Sequence, residues 1–206
     1  ESTAMLLKVH PSNFYIEGFT ETVTTRDLKE LGEKNGLPVI EDIGSGALVD
    51  LAHFGLPHEP TPREVLNQGA DVVTFSGDKL LGGIQAGVIV GSGELIDKIK
   101  ENPLKRALRA DKITLAILDA TLKTYEDPDS VRKKIPLLQT LTLPRKTLGH
   151  RGKVLAKLLK DRLDGFTIEI VDSKTQIGSG ALPDRLIDSL AIKISHTKTG
   201  EMRELA

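Results

Sequence analysis

The sequence predicts an α/β fold carrying a smaller α+β appendage. Three observations predict it. The runs Leu37-Pro38-Val39-Ile40 and Val72-Val73-Thr74-Phe75 are short and apolar, the state expected of buried parallel strands. Each ends in a glycine-rich turn, Asp42-Ile43-Gly44-Ser45-Gly46 in the first case and Ser76-Gly77-Asp78-Lys79 followed by Gly82-Gly83 in the second. Helix start and stop signals precede each run, so strands and helices alternate.

The elements follow in chain order. Ala4 to His10 reads as a strand that begins almost at residue 1, which is the expectation for an interior piece of a longer protein. Thr24 or Thr25 caps a helix running to about Lys34, with Asp27 and Glu30 in its first turns and Gly36 as its stop, completing a β-α-β unit with the Asp42 strand. The stretch 47–62 holds His53, His58 and three prolines and reads as a loop near the strand ends. Thr61-Pro62-Arg63-Glu64 then starts a helix to about Gln68. Ala86 to Gly91 is a further strand and Glu94 to Glu101 a helix. Ile113 to Tyr125, with apolar residues at 113, 115, 117, 118 and 122, is an amphipathic helix expected to pack on the large domain and to break at Pro128. A long helix from about Pro144 to Leu163 puts Leu148, Val154, Leu155, Leu158, Leu159 and Leu163 on one stripe. Phe166–Val171 and Leu190–Ile194 are strands, with a flexible Gly178–Ala181 link between them and coil after Ser195. The domain expectation is 1–125 as part of a large domain and 126–206 as part of a small C-terminal one.

Composition narrows the function classes. The 206 residues are 39% hydrophobic and 28% charged, ordinary for a globular protein. A net charge of −1 supplies no global basic field for nucleic acid, so any such contact is local. The absence of cysteine excludes disulfides, thiolate metal sites and cysteine nucleophiles. No apolar run approaches the roughly 18 residues of a membrane span, and a cytoplasmic location without membrane contact is the expectation.

The chemistry centres on Lys79. A lysine just past the end of a buried strand sits in the crevice where open α/β sheets bind ligands, placed to form a Schiff base. Pyridoxal phosphate enzymes need such a lysine together with a carboxylate facing the pyridine nitrogen, and Lys79 and Asp42 fit those roles. Ser76 is placed to donate to the cofactor phosphate, and Gly82 and Gly83 let backbone pass close to it. The alternatives are a surface lysine and, for Asp42, a turn-forming aspartate before glycine. Four cations fall within Lys105–Lys112; on a helix, Arg106 and Arg109 share a face and grip one tetrahedral anion, the alternative being a solvated face. His53 and His58 lack ligand partners at metal spacing and read as hydrogen-bonding loop residues. Gly44-Ser45-Gly46 and Gly82-Gly83-Ile84-Gln85-Ala86-Gly87 do not complete a dinucleotide fingerprint.

The segments SGDKLLGGIQAG and NPLKRALRADKITLAILDATL, with LLKVHPSNFYIEGFTETV, EDIGSGALVDLAHFGLPHEPT and IGSGALPDRLIDSLAIKI, resemble the bacterial selenocysteine synthase (L-seryl-tRNA(Sec) selenium transferase) family along nearly the whole chain. The resemblance implies a fold-type I pyridoxal phosphate enzyme that converts seryl-tRNA(Sec) to selenocysteyl-tRNA(Sec) with selenophosphate, through a cofactor-bound aminoacrylate, and that works as a homo-oligomer. It implies that Lys79 carries the cofactor, Asp42 keeps the ring protonated, Asp78 orients cofactor or substrate, and Arg106 and Arg109 bind selenophosphate. That family is about twice this length, its tRNA-binding region preceding the catalytic domain, so the chain alone is expected to be inactive and self-associating. The alternatives are a pyridoxal phosphate-dependent lyase acting on a small amino acid, and a non-catalytic assembly or binding module.

Overall fold

Thr24 accepts a hydrogen bond from the Asp27 amide at 3.2 Å while the Asp27 carboxylate accepts from the Thr24 amide at 3.1 Å, and this reciprocal cap starts the first helix. The helix, α1 (Thr25–Asn35), ends at Gly36 with φ +66°, a left-handed cap natural to glycine. It joins β1 (Leu6–Val9) to β2 (Val39–Gly44), and the two strands pair in parallel with Leu6 opposite Val39. The β-α-β expectation therefore holds. The computed structural model describes residues 2–12, 14, 16–178 and 185–196.

The chain forms two units, Glu1–Thr142 with Gly178–Arg185, and Leu143–Ile177 with Leu186–Ala206. In the first, β3 (Val72–Ser76) lies parallel to β2 and β4 (Gly87–Gly91) antiparallel to β3, giving the order β1-β2-β3-β4. Between β2 and β3, α2 (Pro62–Asn67) starts at a Thr61–Glu64 capping box with proline in its first turn. Alternation along the strands turns Ile43, Val73 and Phe75 to one face, where they bury with Val65 and Ala70. Glu41 shares that face with only 2% of its surface exposed. It is held by Lys8 Nζ at 3.0 Å and by the Thr25 hydroxyl, which donates to it at 2.5 Å. The network ties the start of α1 to both strands.

Beyond β4 come α3 (Gly93–Glu101), the short α4 (Leu104–Ala107), α5 (Lys112–Thr124), α6 (Pro128–Lys134) and α7 (Pro136–Leu141). Two expectations change here. Pro128 does not simply end the preceding helix but opens α6 from the first-turn position that tolerates proline, and Val131 of α6, Ile135 between the helices and Leu138 of α7 bury. The stripe on α5 is also different. Of the expected positions Leu118 packs inward while Ile113, Leu115, Ile117 and Leu122 are exposed, and the packed face continues through Thr121 and Tyr125. Tyr125 donates to the Leu81 carbonyl at 2.8 Å, and burial raises its phenol above the ordinary value.

In the second unit α8 (Arg145–Lys160) packs on an antiparallel pair, β5 (Phe166–Thr175) and β6 (Ile187–His196). Both strands are longer than expected. The apolar stripe expected on α8 is not the buried one: Val154, Leu155 and Leu158 are about half exposed. Ala156 is buried, and Gly149 and Gly152 lie against Leu190 and Ile170, because small residues let the helix approach the strands closely. The Ser179–Ala181 part of the expected flexible link and the coil from 197 onward lie outside the described residues. Among the described residues no helix is long and apolar enough to cross a membrane.

Candidate active site

The carboxyl ends of the three parallel strands meet at one rim, the position where open α/β sheets bind ligands. At the end of β2 the register slips, with Asp42 opposite Thr74 and Gly44 opposite Phe75, so one extra residue bulges from the strand. The Gly44 amide donates back to Asp42 Oδ1 at 3.1 Å, which fixes the carboxylate at the rim. Gly44 has φ +64° and Gly46 φ +74°. Side chains have no room at either: a Cβ on Gly44 would stand 2.8 Å from Ser12 Oγ, and one on Gly46 would stand 2.3 Å from the Ser76 carbonyl oxygen. The turn after β2 is thus pressed directly against the end of β3.

The loop after β3 is locked in the same way. The Gly77 amide donates to the Ala86 carbonyl and the Gly83 amide to the Gly77 carbonyl, both at 2.8 Å, closing the base of the loop. Leu80 and Leu81 bury as its anchors, and the Leu80 amide donates to the Ser45 carbonyl at 2.9 Å, joining the two turns. Lys79 is consequently half-buried, with its Nζ 3.8 Å from the point a Gly44 Cβ would occupy. Ser76 is half-buried at the end of β3, and Asp78 is exposed beside the lysine. The structure therefore brings Lys79, Asp42 and Ser76 to one rim. Replacing Gly46 with alanine should cost about 1–3 kcal/mol for the strained backbone, with the clash added. Urea unfolding checks this; a variant as stable as the wild type would show that the two turns are not in tight contact.

Arg106 and Arg109 come out otherwise. α4 stops at Ala107, so the shared helical face does not form, and both guanidinium groups are exposed. Arg109 instead lines an apolar groove of about 910 Å³ with Met5, Pro38, Val72 and Leu108. Met5, Pro38 and Val72 stand at the amino ends of the parallel strands, away from Lys79. His58 makes the expected kind of loop contact, its Nδ1 3.1 Å from Asp50 Oδ1, and this bond is the largest influence holding the Asp50 carboxyl below its usual range. His53 is exposed on a short 3-10 turn, Leu51–Phe54.

Sequence reasoning missed several residues at the rim. Ser12 packs on Gly44, and the fully buried Ser45 hydroxyl has no hydrogen-bond partner among the described residues. Glu59, also fully buried, has His10 Nε2 at 3.4 Å, an ion-pair distance without hydrogen-bond geometry. His10 and Glu59 lie far apart in sequence, so no local pattern points to their meeting. The rim fits pyridoxal phosphate on three counts. It offers an amine and a carboxylate at adjacent strand ends, a bare glycine backbone at Gly44 beside the Lys79 amine where no side chain fits, and an orphan buried hydroxyl at Ser45.

The model of the L-seryl-tRNA selenium transferase family matches residues 1–206. An L-seryl-tRNA(Sec) selenium transferase of Haemophilus influenzae (strain ATCC 51907 / DSM 11121 / KW20 / Rd) is 48% identical over 207 residues, covering 100% of this chain and 45% of that protein. One of Escherichia fergusonii is 47% identical over 206 residues, covering 99% and 44%. The chain thus spans about half the length of the curated relatives it matches. The structure of a D-glucosaminate-6-phosphate ammonia-lyase aligns with a TM-score of 0.54 at 18% identity, covering 94% of this chain and 42% of that one. That likeness shows the fold, the fold-type I α/β arrangement expected from the sequence.

Proposed function

Because the chain belongs to the L-seryl-tRNA selenium transferase family, we propose that it supplies part of the pyridoxal phosphate site of an enzyme converting seryl-tRNA(Sec) to selenocysteyl-tRNA(Sec), with selenophosphate as donor. The observation that carries the reading is the meeting of Lys79, Asp42 and Ser76 at one rim. When bound, the cofactor supplies an electron sink for the substrate Cα. Lys79 would hold it through its amine, and that amine, when free, would accept the proton from the substrate Cα. Asp42, with Oδ1 engaged by the Gly44 amide, would have its second oxygen free for the ring nitrogen and would favour its protonated form. Ser76 donates to the phosphate, and Asp78 orients cofactor or substrate from beside the lysine.

Residues 1–125 are assigned to the large cofactor-binding domain and 126–206 to the small C-terminal one, although the stretch 126–142 groups with the first unit of the fold. The enzyme is placed in the cytoplasm as a homo-oligomer, and residues 1–206 alone are expected not to turn over. Borohydride reduction of the protein with pyridoxal phosphate, followed by peptide mass spectrometry, tests the assignment. The pyridoxyl group belongs on Lys79, and a label on a different lysine would sink it.

Arg106 and Arg109 are assigned to the selenophosphate anion. Since Arg109 lies toward the amino ends of the strands, this role requires a second copy of the chain to bring the arginines to Lys79. Changing either arginine to alanine should raise the donor KM about 10- to 100-fold, as expected for a charge-assisted contact worth about 1.5–3 kcal/mol. Cofactor absorbance should stay unchanged. Loss of cofactor with unaltered donor KM would show that the arginines serve a different purpose.

A further inference from the structure

Helix α8 has six lysines and arginines and no acidic residue among its 16 positions, although the chain as a whole has a net charge of −1. Its packed face is the small-residue side, Gly149, Gly152 and Ala156. Lys146, Lys153, Lys157 and Lys160, at spacings of seven, four and three, fall on one stripe beside that face. From first to last the stripe runs about 21 Å at 1.5 Å per residue. All four lysines are exposed. The ion pairs of this unit are Arg145–Asp172 and Lys174–Asp188, so among the described residues none of the four has an acidic partner. Lys153, Lys157 and Lys160 also line a groove against Ile168, Glu169 and Ile170 of β5, where Glu169 is the one carboxylate.

Solvated helices elsewhere in this chain are built differently. α3 pairs Glu94 with Lys98, and α5 pairs Asp119 with Lys123, the i,i+4 arrangement that offsets charge on a wet face. On α8 the same spacings set lysine against lysine, which is destabilising without an anion. A row of ammonium groups with no paired acid complements a run of phosphates.

We propose that this lysine stripe docks the phosphate backbone of RNA; the inference rests on the seryl-tRNA reading above and deepens it by naming where the chain grips that substrate. Lysines act as point charges, so the contact positions the RNA without reading its sequence. RNA is taken as the occupant because the family is named for a seryl-tRNA substrate, while Val154, Leu155 and Leu158, half exposed on the side of α8 away from its packed face, make a lipid surface the rival that the vesicle arm of the test addresses.

The test uses the intact protein and a tRNA(Sec) transcript, with binding measured between 50 and 200 mM salt. Replacing Lys146, Lys153, Lys157 and Lys160 together with glutamine should flatten the slope of log affinity against log salt by about 3 and weaken binding at least about tenfold, since each lost phosphate contact removes about 0.7–0.9 from the slope. Arginine at the same four positions should restore both. A Lys98→Gln, Lys123→Gln control should match the wild type, and far-UV circular dichroism should show α8 retained. Wild-type slope and affinity in the glutamine variant would overturn the stripe while leaving the tRNA substrate standing. Absence of RNA binding by the wild type would overturn both. Loss of binding to phosphatidylserine vesicles with RNA binding unchanged would assign the stripe to lipid and overturn the proposal.

Discussion

Replacing Lys79 with alanine is expected to lower turnover by about 10²–10⁴-fold, the range that a positioned proton acceptor contributes, and to leave no pyridoxyl label at position 79 after borohydride. The reasoning starts from the loop. Leu80 and Leu81 are buried on the carboxyl side of the lysine, the Leu80 amide is bound to Ser45, and Gly77 and Gly83 close the base. Neither neighbour has freedom to let another lysine take its place, so the effect should not be rescued by a nearby amine. Arginine keeps the charge but cannot serve as nucleophile or proton acceptor, and Lys79→Arg should be as inactive as Lys79→Ala. Absorbance with added pyridoxal phosphate separates loss of cofactor from loss of chemistry. A Lys79→Ala protein with wild-type turnover would show that the site lies elsewhere.

Glu41→Ala should destabilise the protein by about 3–5 kcal/mol, the cost of removing one partner from a buried ion pair. Glu41 is 2% exposed and holds both Lys8 and the Thr25 hydroxyl, so the substitution takes the carboxylate from both, leaves the ammonium group only the Thr25 oxygen at 3.2 Å, and opens a cavity. Urea unfolding at neutral pH gives the magnitude. The double replacement Lys8→Met with Glu41→Leu should recover much of the loss, because neither charge then remains to be solvated. A loss below about 1 kcal/mol for the single variant would place Glu41 in contact with water, against the burial observed.

The local elements were legible because short-range chemistry decides them. Thr24, Asp27 and Gly36 bracket α1, and Thr61, Pro62 and Glu64 start α2, through hydrogen bonds and backbone preferences spanning four residues or fewer. The strands at Val39 and Val72 read correctly because each is a short apolar run bounded by turn signals. Their carboxyl ends carried Asp42, Ser76 and Lys79, and parallel pairing brought these to the same rim. Val131, Ile135 and Leu138 also had helical spacing, but Pro128 and Pro136 masked it, since proline breaks a helix interior and starts a helix equally well.

By itself the sequence determined the α/β class, the β-α-β order and the three rim residues, all of which follow from periodicity, caps and strand ends. Only the tertiary structure decided which of several apolar stripes is buried. It turned Val154, Leu155 and Leu158 toward solvent and Ala156 inward, and it chose Leu118 over Ile113 on α5. It also broke the shared face of Arg106 and Arg109 by ending α4 at Ala107, put Arg109 in a groove at the amino ends of the strands, and joined His10 to Glu59 across the rim. The physical reason is that a helix with apolar residues on more than half its circumference has several faces of similar burial energy. The shape of the surface it meets selects among them, and that shape is made by residues distant in the chain.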